Sequence, residues 1–344
     1  MKQHLNTLFV QTDGAWLKKD GQTIAVVVEG EVRMRVPVHT IGGIACFGRI
    51  NATTPLLALC AENDVAVSFL NQHGRLQARV TGFTKGNVLL RRDQYRAADD
   101  ETRSCSIAGP MVAAKIANSR TTLLRGARDH GDADGQIAAA CSRMAPNAEA
   151  ALRSGSLDEI RGNEGEAANA YFSVLDRLLT LGSPERDAFR FVTRTRRPPR
   201  DPFNCLLSFL YSMLAHDARS ACEACGLDPA VGFLHRDRPG RPSLALDLME
   251  ELRSFLCDRL VLSLINRRQI QASDFDFLEG GAVLLTDTAR RTVLAAYQKR
   301  KQDEILHPYL GERVTVGLLV HLQARLLSRV LRGELEVYPA FIWK

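Results

Sequence analysis

Three short stretches of this chain, all beyond residue 160, carry side chains that could do chemistry. In Arg161-Gly162-Asn163-Glu164-Gly165-Glu166-Ala167-Ala168-Asn169-Ala170-Tyr171-Phe172, two glycines flank Glu164 within an otherwise helical pattern. Each glycine costs a helix up to about 1 kcal/mol relative to alanine. Such a break in local rules marks close approach by another backbone or a ligand. Ala168 and Tyr171 share a helix face with Glu164, so that face is narrow and then aromatic. A solvated glutamate on a loosely wound helix is the plainer reading. The second stretch, Gly232 to Pro242, places His235 after an apolar pair and before a run of arginine and proline. Neutral imidazole is a common ligand for divalent metals, although a loop histidine is more often a surface hydrogen-bonding group. In the third, Asp247 and Glu250 are three apart and face one way on a helix. Like charges that close repel unless a cation or arginine lies between them. The plainer reading is an acidic face with Arg253 as partner.

One imidazole and several carboxylates suit Mg2+ or Mn2+ rather than zinc. A basic belt surrounds them: Arg186, Arg190, Arg194, Arg196, Arg197 and Arg200, then Arg236, Arg238 and Arg241. Arginine's planar fork bonds phosphate bidentately, so a metal site beside these residues suits a phosphodiester better than a small neutral substrate. A solvated basic loop is the alternative. The formal charge of +6 leans the same way, modestly. Cys222 and Cys225 form a CxxC, but no second pair lies nearby for a structural zinc, and helix packing accounts for both. Eight scattered cysteines in a reducing compartment read as buried hydrophobes.

The elements that must position these groups fall into two regions. Up to about residue 83 the pattern is β: Asp20-Gly21 and Glu29-Gly30 mark turns, and Val32, Met34 and Val36 alternate with Arg33 and Arg35 as in a half-buried strand. Thr54-Pro55 opens a short helix, and Val65–Leu70, His73-Gly74 and Leu76–Val80 form a further hairpin. Beyond Gly82 the period becomes helical, over about Asn87–Tyr95, Met111–Arg128, Gln136–Ala145, Leu157–Leu181, Pro202–Cys225, Leu244–Arg267, Asp287–Tyr297 and Val314–Leu331. Ser156-Leu157-Asp158-Glu159 reads as a capping box. The expected organisation is α+β: a sandwich-like β domain at 1–83, a connector with the first helix at 84–100, and an all-α catalytic domain at 101–344. No long apolar run or secretory leader is present, so a cytoplasmic protein without a membrane span is expected.

The motif residues resemble a known family. Arg161 to Gly165 with Ala168 and Tyr171, Asp228-Pro229 with Gly232-Phe233-Leu234-His235, and Ser243 to Glu250 are similar to the CRISPR-associated adaptation endonuclease, the integrase subunit that inserts new spacers. Leu5-Asn6-Thr7-Leu8, Val36 to Ile44 and Val65 to Leu70 extend the likeness over nearly the whole chain, with details similar to the variant of type I-C systems. The resemblance implies a β domain that helps form a homodimer, an all-helical catalytic domain, and metal ligands at Glu164, His235 and Glu250. Asp247 matches an auxiliary acid, and Glu166 lies outside the motif position. It also implies double-stranded DNA as substrate and a small ferredoxin-like partner whose dimer bridges two integrase dimers.

The implied reaction is attack of a 3′-hydroxyl on a phosphodiester at a repeat boundary, or of water in cleavage, with Mg2+ or Mn2+ offsetting phosphate charge. The arginines would follow the DNA backbone in a salt-sensitive way. Two rivals stand beside this: a non-catalytic DNA-binding scaffold of the same complex, and a phosphohydrolase acting on small substrates.

Overall fold

The computed structural model describes residues 6–71, 74, 76–82 and 88–343. Leu5, His73 of the expected hairpin turn, Asn87 at an expected helix start and residues 84–87 of the expected connector lie outside the described residues.

The N-terminal strands build two four-stranded sheets. One contains β1 (Asn6–Val10), β5 (Ile41–Phe47), β7 (Ala66–Leu70) and β8 (Leu76–Val80) in that order, with β1, β5 and β7 parallel. The other runs β4 (Glu31–Pro37), β3 (Thr23–Val28), β2 (Trp16–Asp20) and β6 (Asn51–Ala52). Val10, Ile44 and Val67 of the first sheet and Leu17, Ile24 and Val26 of the second share one core with Leu56 and Leu59 of α1 (Thr54–Glu62). Pro55 in the first turn of α1 costs nothing there, because that N–H has no helical partner. The turns after β2 and β3 place Gly21 and Gly30 at φ +60° and +85°. The half-buried reading of β4 is corrected: it is a sheet edge, and Val32 and Met34 are 42% and 50% exposed. Both faces of an edge strand can overhang the core that its inner neighbour covers, and here β3 carries the burial.

Beyond the sheets the chain is mostly helical: α2 (Val88–Asp99), α3 (Glu101–His130), α4 (Gln136–Arg153), α5 (Leu157–Phe172), the short α6 (Glu185–Ala188), α7 (Pro202–Ala224), α8 (Ser243–Glu250), α9 (Arg259–Asn266), α10 (Asp287–Gln302) and α11 (Leu319–Leu331). Asp100 and Asp201 cap α3 and α7 by accepting from the backbone N–H of Arg103 and Asn204. The capping box expected at Ser156 does not form. Ser154 substitutes, its hydroxyl donating to Glu159 at 2.7 Å and accepting from the Ser156 N–H. Two ribbons not anticipated from the helical pattern, β9/β10 (Phe275–Phe277 with Val283–Leu285) and β11/β12 (Glu304–Leu306 with Arg313–Thr315), interrupt it. Their three-residue strands are too short to leave a periodic signature.

The chain forms two compact units: Met1–Gly86 with Leu294–Gln302, and Asn87–Val293 with Asp303–Lys344. In the first, Gln298 donates to the Thr7 carbonyl at 2.8 Å. No described helix is long and apolar enough to cross a membrane.

Candidate active site

All the site residues stand on the helical unit, and α8 is their centre. Leu244, Leu248, Leu252 and Phe255, which steps of four, four and three bring onto one apolar stripe, are at most 2% exposed. Burying each contributes roughly 1.5–3 kcal/mol, which fixes the helix's rotation about its axis. Asp247 and Glu250, off the stripe, are not a solvated acidic face: they are 0% and 2% exposed. After Glu250 the helix loosens through Glu251 and Leu252 and rewinds as a π-helix over Arg253–Asp258. Such wide turns recur at functional sites because they redirect side chains without ending the helix.

Asp247 organises the loop before α8. Its Oδ2 accepts from the N–H groups of Phe233 (2.7 Å) and Leu234 (3.0 Å), and its Oδ1 from that of His235 (3.0 Å). The same Oδ1 lies 2.6 Å from His235 Nδ1. A carboxylate without its proton only accepts, so this contact places a hydrogen on Nδ1; a neutral ring held this way presents Nε2 as its lone-pair nitrogen, the form that ligates metals. Gly232 permits the wrap: a Cβ there would stand 2.6 Å from Asp247 Oδ2 and 2.8 Å from the Ser243 carbonyl carbon.

Glu164 arrives on α5. Arg161, one turn earlier, donates through Nε to the Leu234 carbonyl at 2.7 Å and through Nη1 to Asp158, fastening α5 to the His235 loop. Gly162 and Gly165 meet no backbone; added Cβ atoms would find nothing within 4 Å, and both glycines are exposed. Close approach by another backbone, one of the two readings of these glycines, is therefore not what they serve among the described residues. Glu166 is also exposed.

The residue joining the two glutamates was missed in the sequence. Lys115 of α3 places its ammonium against Glu164 Oε1 and 2.7 Å from Glu250 Oε2. Glu250 Oε1 meets Arg253 Nη2 at 3.0 Å and lies 3.8 Å from His235 Nε2. Glu250 Oε2 makes no well-directed hydrogen bond, so the ammonium is its one close cation among the described residues. Burial pushes the Glu250 carboxyl up, but the Arg253 guanidinium and the Lys115 ammonium outweigh it and hold it well below the usual glutamate range. Burial likewise opposes the Lys115 charge, and Glu250 and Glu164 hold it above the ordinary lysine value. As placed, no three His, Cys, Asp or Glu side chains among the described residues stand together as a metal cluster. The donor set still fits a hard divalent cation: two carboxylates already share one positive charge, and a bare imidazole nitrogen lies beside the second.

Behind the glutamates lies a second network. Asp258, 1% exposed, accepts from Tyr171 (2.8 Å) and Tyr211 (2.7 Å). Burial raises its carboxyl to about 6, against the lowering effect of both phenols. Arg253 and Arg194 lie over the Tyr211 ring at 4.9 and 5.3 Å. Lys115, Glu164, Tyr171, Arg194, Tyr211 and Arg253 line one cleft, whereas His235, Arg161 and Arg236 border another.

The arginine belt divides. Arg194 is bound inward to Asn204 and Ser208, and Arg236 pairs with Asp158 at 2.8 Å. Arg196, Arg197 and Arg238 are exposed and form no ion pair among the described residues. Burial, then Arg238, holds the Arg241 guanidinium below the ordinary arginine value; Asp247 opposes this, and Arg197 and Arg196 add to it. Arg186, Arg190 and Arg200 are exposed as well. Cys222 is buried and Cys225 half-buried, both as free thiols.

A family profile described as CRISPR associated protein Cas1 matches residues 8–299. The chain is 52% identical to the CRISPR-associated endonuclease Cas1 1 of Chlorobaculum tepidum, with all of both chains covered. Among solved structures it is similar to a casposase bound to its integration product, with a TM-score of 0.81 at 24% identity over 96% of this chain and 92% of that one. It is similar too to a Cas6-RT-Cas1–Cas2 complex, with a TM-score of 0.83 at 24% identity over 100% of this chain and 36% of that one. At these identities the structural likeness shows the fold.

Proposed function

The chain belongs to the Cas1 family of CRISPR-associated proteins, and from that premise we propose that it inserts spacer DNA into a CRISPR array at a site built from Glu164, His235 and Glu250. It is a DNA endonuclease and integrase that exchanges one phosphodiester for another, in the adaptation stage of antiviral defence. The observation that carries the site assignment is the convergence on Lys115: two glutamates from different helices neutralise one cation, with His235 Nε2 3.8 Å from the second.

Mg2+ or Mn2+ bound to Glu164, His235 and Glu250 would supply charge neutralisation at a non-bridging phosphate oxygen. The chain's own residues do the rest. Asp247 holds the His235 ring with Nε2 bare, Arg161 holds the His235 loop against α5, and Arg253 fixes the Glu250 carboxylate. Arg196, Arg197, Arg238 and Arg241 position the DNA backbone; the exposure of the first three and their closeness to Arg241 support that role.

Homodimerisation through the β region is supported by the exposed Trp16 and Val32, which flank Val27 in one cross-strand row. Likeness to a complex containing Cas2 supports a protein partner, which we assign as a small ferredoxin-like adaptation protein. The proposed division has the β region of 1–83 dimerising, 84–100 connecting and 101–344 carrying catalysis, in a cytoplasmic protein.

Strand transfer on branched duplex DNA tests the assignment. Glu164→Ala and His235→Ala each abolish it while leaving the fold and DNA binding in place. Retained activity in either variant refutes the ligand set.

A further inference from the structure

Lys115 is the only lysine between Lys85 and Lys299, in a chain of 8 lysines and 37 arginines. Every other fixed cation of that stretch is an arginine. The one position facing both proposed ligand carboxylates carries the compact ammonium on its flexible four-carbon stem. An arginine fork would bind a carboxylate bidentately and stay, whereas an ammonium is a point charge that can leave.

The surroundings make that charge matter. The Glu250 side chain is 3% exposed and that of Lys115 is 13% exposed, so removing either partner would leave a buried ion one counter-charge short, with Arg253 alone facing Glu250 or Glu164 alone facing Lys115. A divalent cation bound to Glu164 and Glu250 would need the space between their oxygens that the ammonium fills. Both cations cannot hold contact distance to the same oxygens, because their mutual repulsion in a poorly solvated site is large. An exit is at hand: Lys115 itself lines the cleft bordered by Tyr171, Phe172 and Tyr211.

We propose that Lys115 is a built-in, displaceable counter-ion of the cation site. Without a divalent ion its ammonium holds Glu164 and Glu250 at the site's spacing. Entry of the divalent ion expels the ammonium into the cleft. Lys115 is thus a positioning residue whose place in the site alternates with the metal. This inference rests on the ligand assignment proposed above.

Two measurements on the purified full chain test it. The first is calorimetric titration with Mn2+ of the wild type, Lys115→Met and Glu164→Gln. Lys115→Met is expected to bind Mn2+ on the order of tenfold more tightly, since nothing has to be displaced. It should also melt lower than the wild type in EDTA and recover more on adding Mn2+. The second is acetylation of amines in the wild type, read by mass spectrometry. Lys115 should resist acetylation in EDTA and react in saturating Mn2+. Wild-type affinity unchanged by Glu164→Gln would overturn the ligand assignment itself. Affinity that Glu164→Gln weakens, with Lys115 equally protected with and without Mn2+, would overturn the exchange alone. The acetylation arm needs no variant to fold.

Discussion

His235 Nδ1 and Asp247 Oδ1 lie 2.6 Å apart, and the same carboxylate receives three backbone N–H groups from residues 233–235. The imidazole is therefore oriented by a group that is itself immobilised. Asp247→Asn replaces one acceptor by a donor among those N–H groups. It should lower strand transfer and Mn2+ affinity by roughly 10–100-fold, as for other groups that orient a metal-binding histidine. Parallel transfer assays and Mn2+ titrations check this, and unaltered Mn2+ affinity would count against the orienting role.

Gly232 and the pair Gly162/Gly165 should respond in opposite directions. Gly232→Ala drives a methyl into Asp247 and the Ser243 carbonyl carbon, and overpacking of that kind costs about 1–3 kcal/mol. Gly162→Ala with Gly165→Ala meets open space and should raise stability by up to about 1 kcal/mol per site. If DNA approaches that bare face of α5, the stabilised double variant binds it more weakly. Urea titrations and gel shifts on both proteins separate the two effects.

Asp258 predicts a pH signature of stability. Its folded-state carboxyl is raised from 3.8 to about 6, so the fold binds its proton more tightly than the unfolded chain does. The associated stability is complete below pH 3.8, falls as pH rises toward 6 and is absent above it. A shift of this size corresponds to about 3 kcal/mol. Urea midpoints measured from pH 3.5 to 7.5 should show Asp258→Asn losing this decline relative to the wild type.

The arginines should sort by their partners. Arg238→Ala and Arg241→Ala should each weaken DNA binding irrespective of sequence, lowering the slope of log K against log salt by about 1 for each phosphate no longer neutralised. Arg194→Ala should instead lower the melting temperature, because its guanidinium serves Asn204, Ser208 and the Tyr211 ring. A salt slope unchanged by Arg241→Ala would remove that residue from the DNA surface.

Much of the positioning was legible in the residues. The stripe from Leu244 to Phe255, the helix start at Pro202 and the turn at Asp20-Gly21 follow local rules that tertiary packing did not overturn. What escaped is non-local. Asp258 draws on Tyr171 and Tyr211, residues 87 and 47 positions away, and no spacing rule links them. Ser156 remains the N-cap residue without a capping bond because the Ser154 hydroxyl engages both Glu159 and the Ser156 N–H, the two groups a capping box would have joined. Arg194 read as part of a basic loop because its inward partners lie on the next helix, 10 and 14 residues on. Lys115 did leave a mark in the sequence, as a solitary lysine among arginines, but in a helix it resembled any surface cation.

The N-terminal sheets share their compact unit with Leu294–Gln302. On the ribosome this imposes a delay. Residues 87–293 must be synthesised before the nascent sheets can gain their last segment, on the order of ten seconds or more at ordinary rates of synthesis. Until then the Thr7 carbonyl lacks the Gln298 amide that later meets it. Sheets translated before the helices are thus among the last parts to be finished, and the interval is one in which a chaperone has an edge to protect.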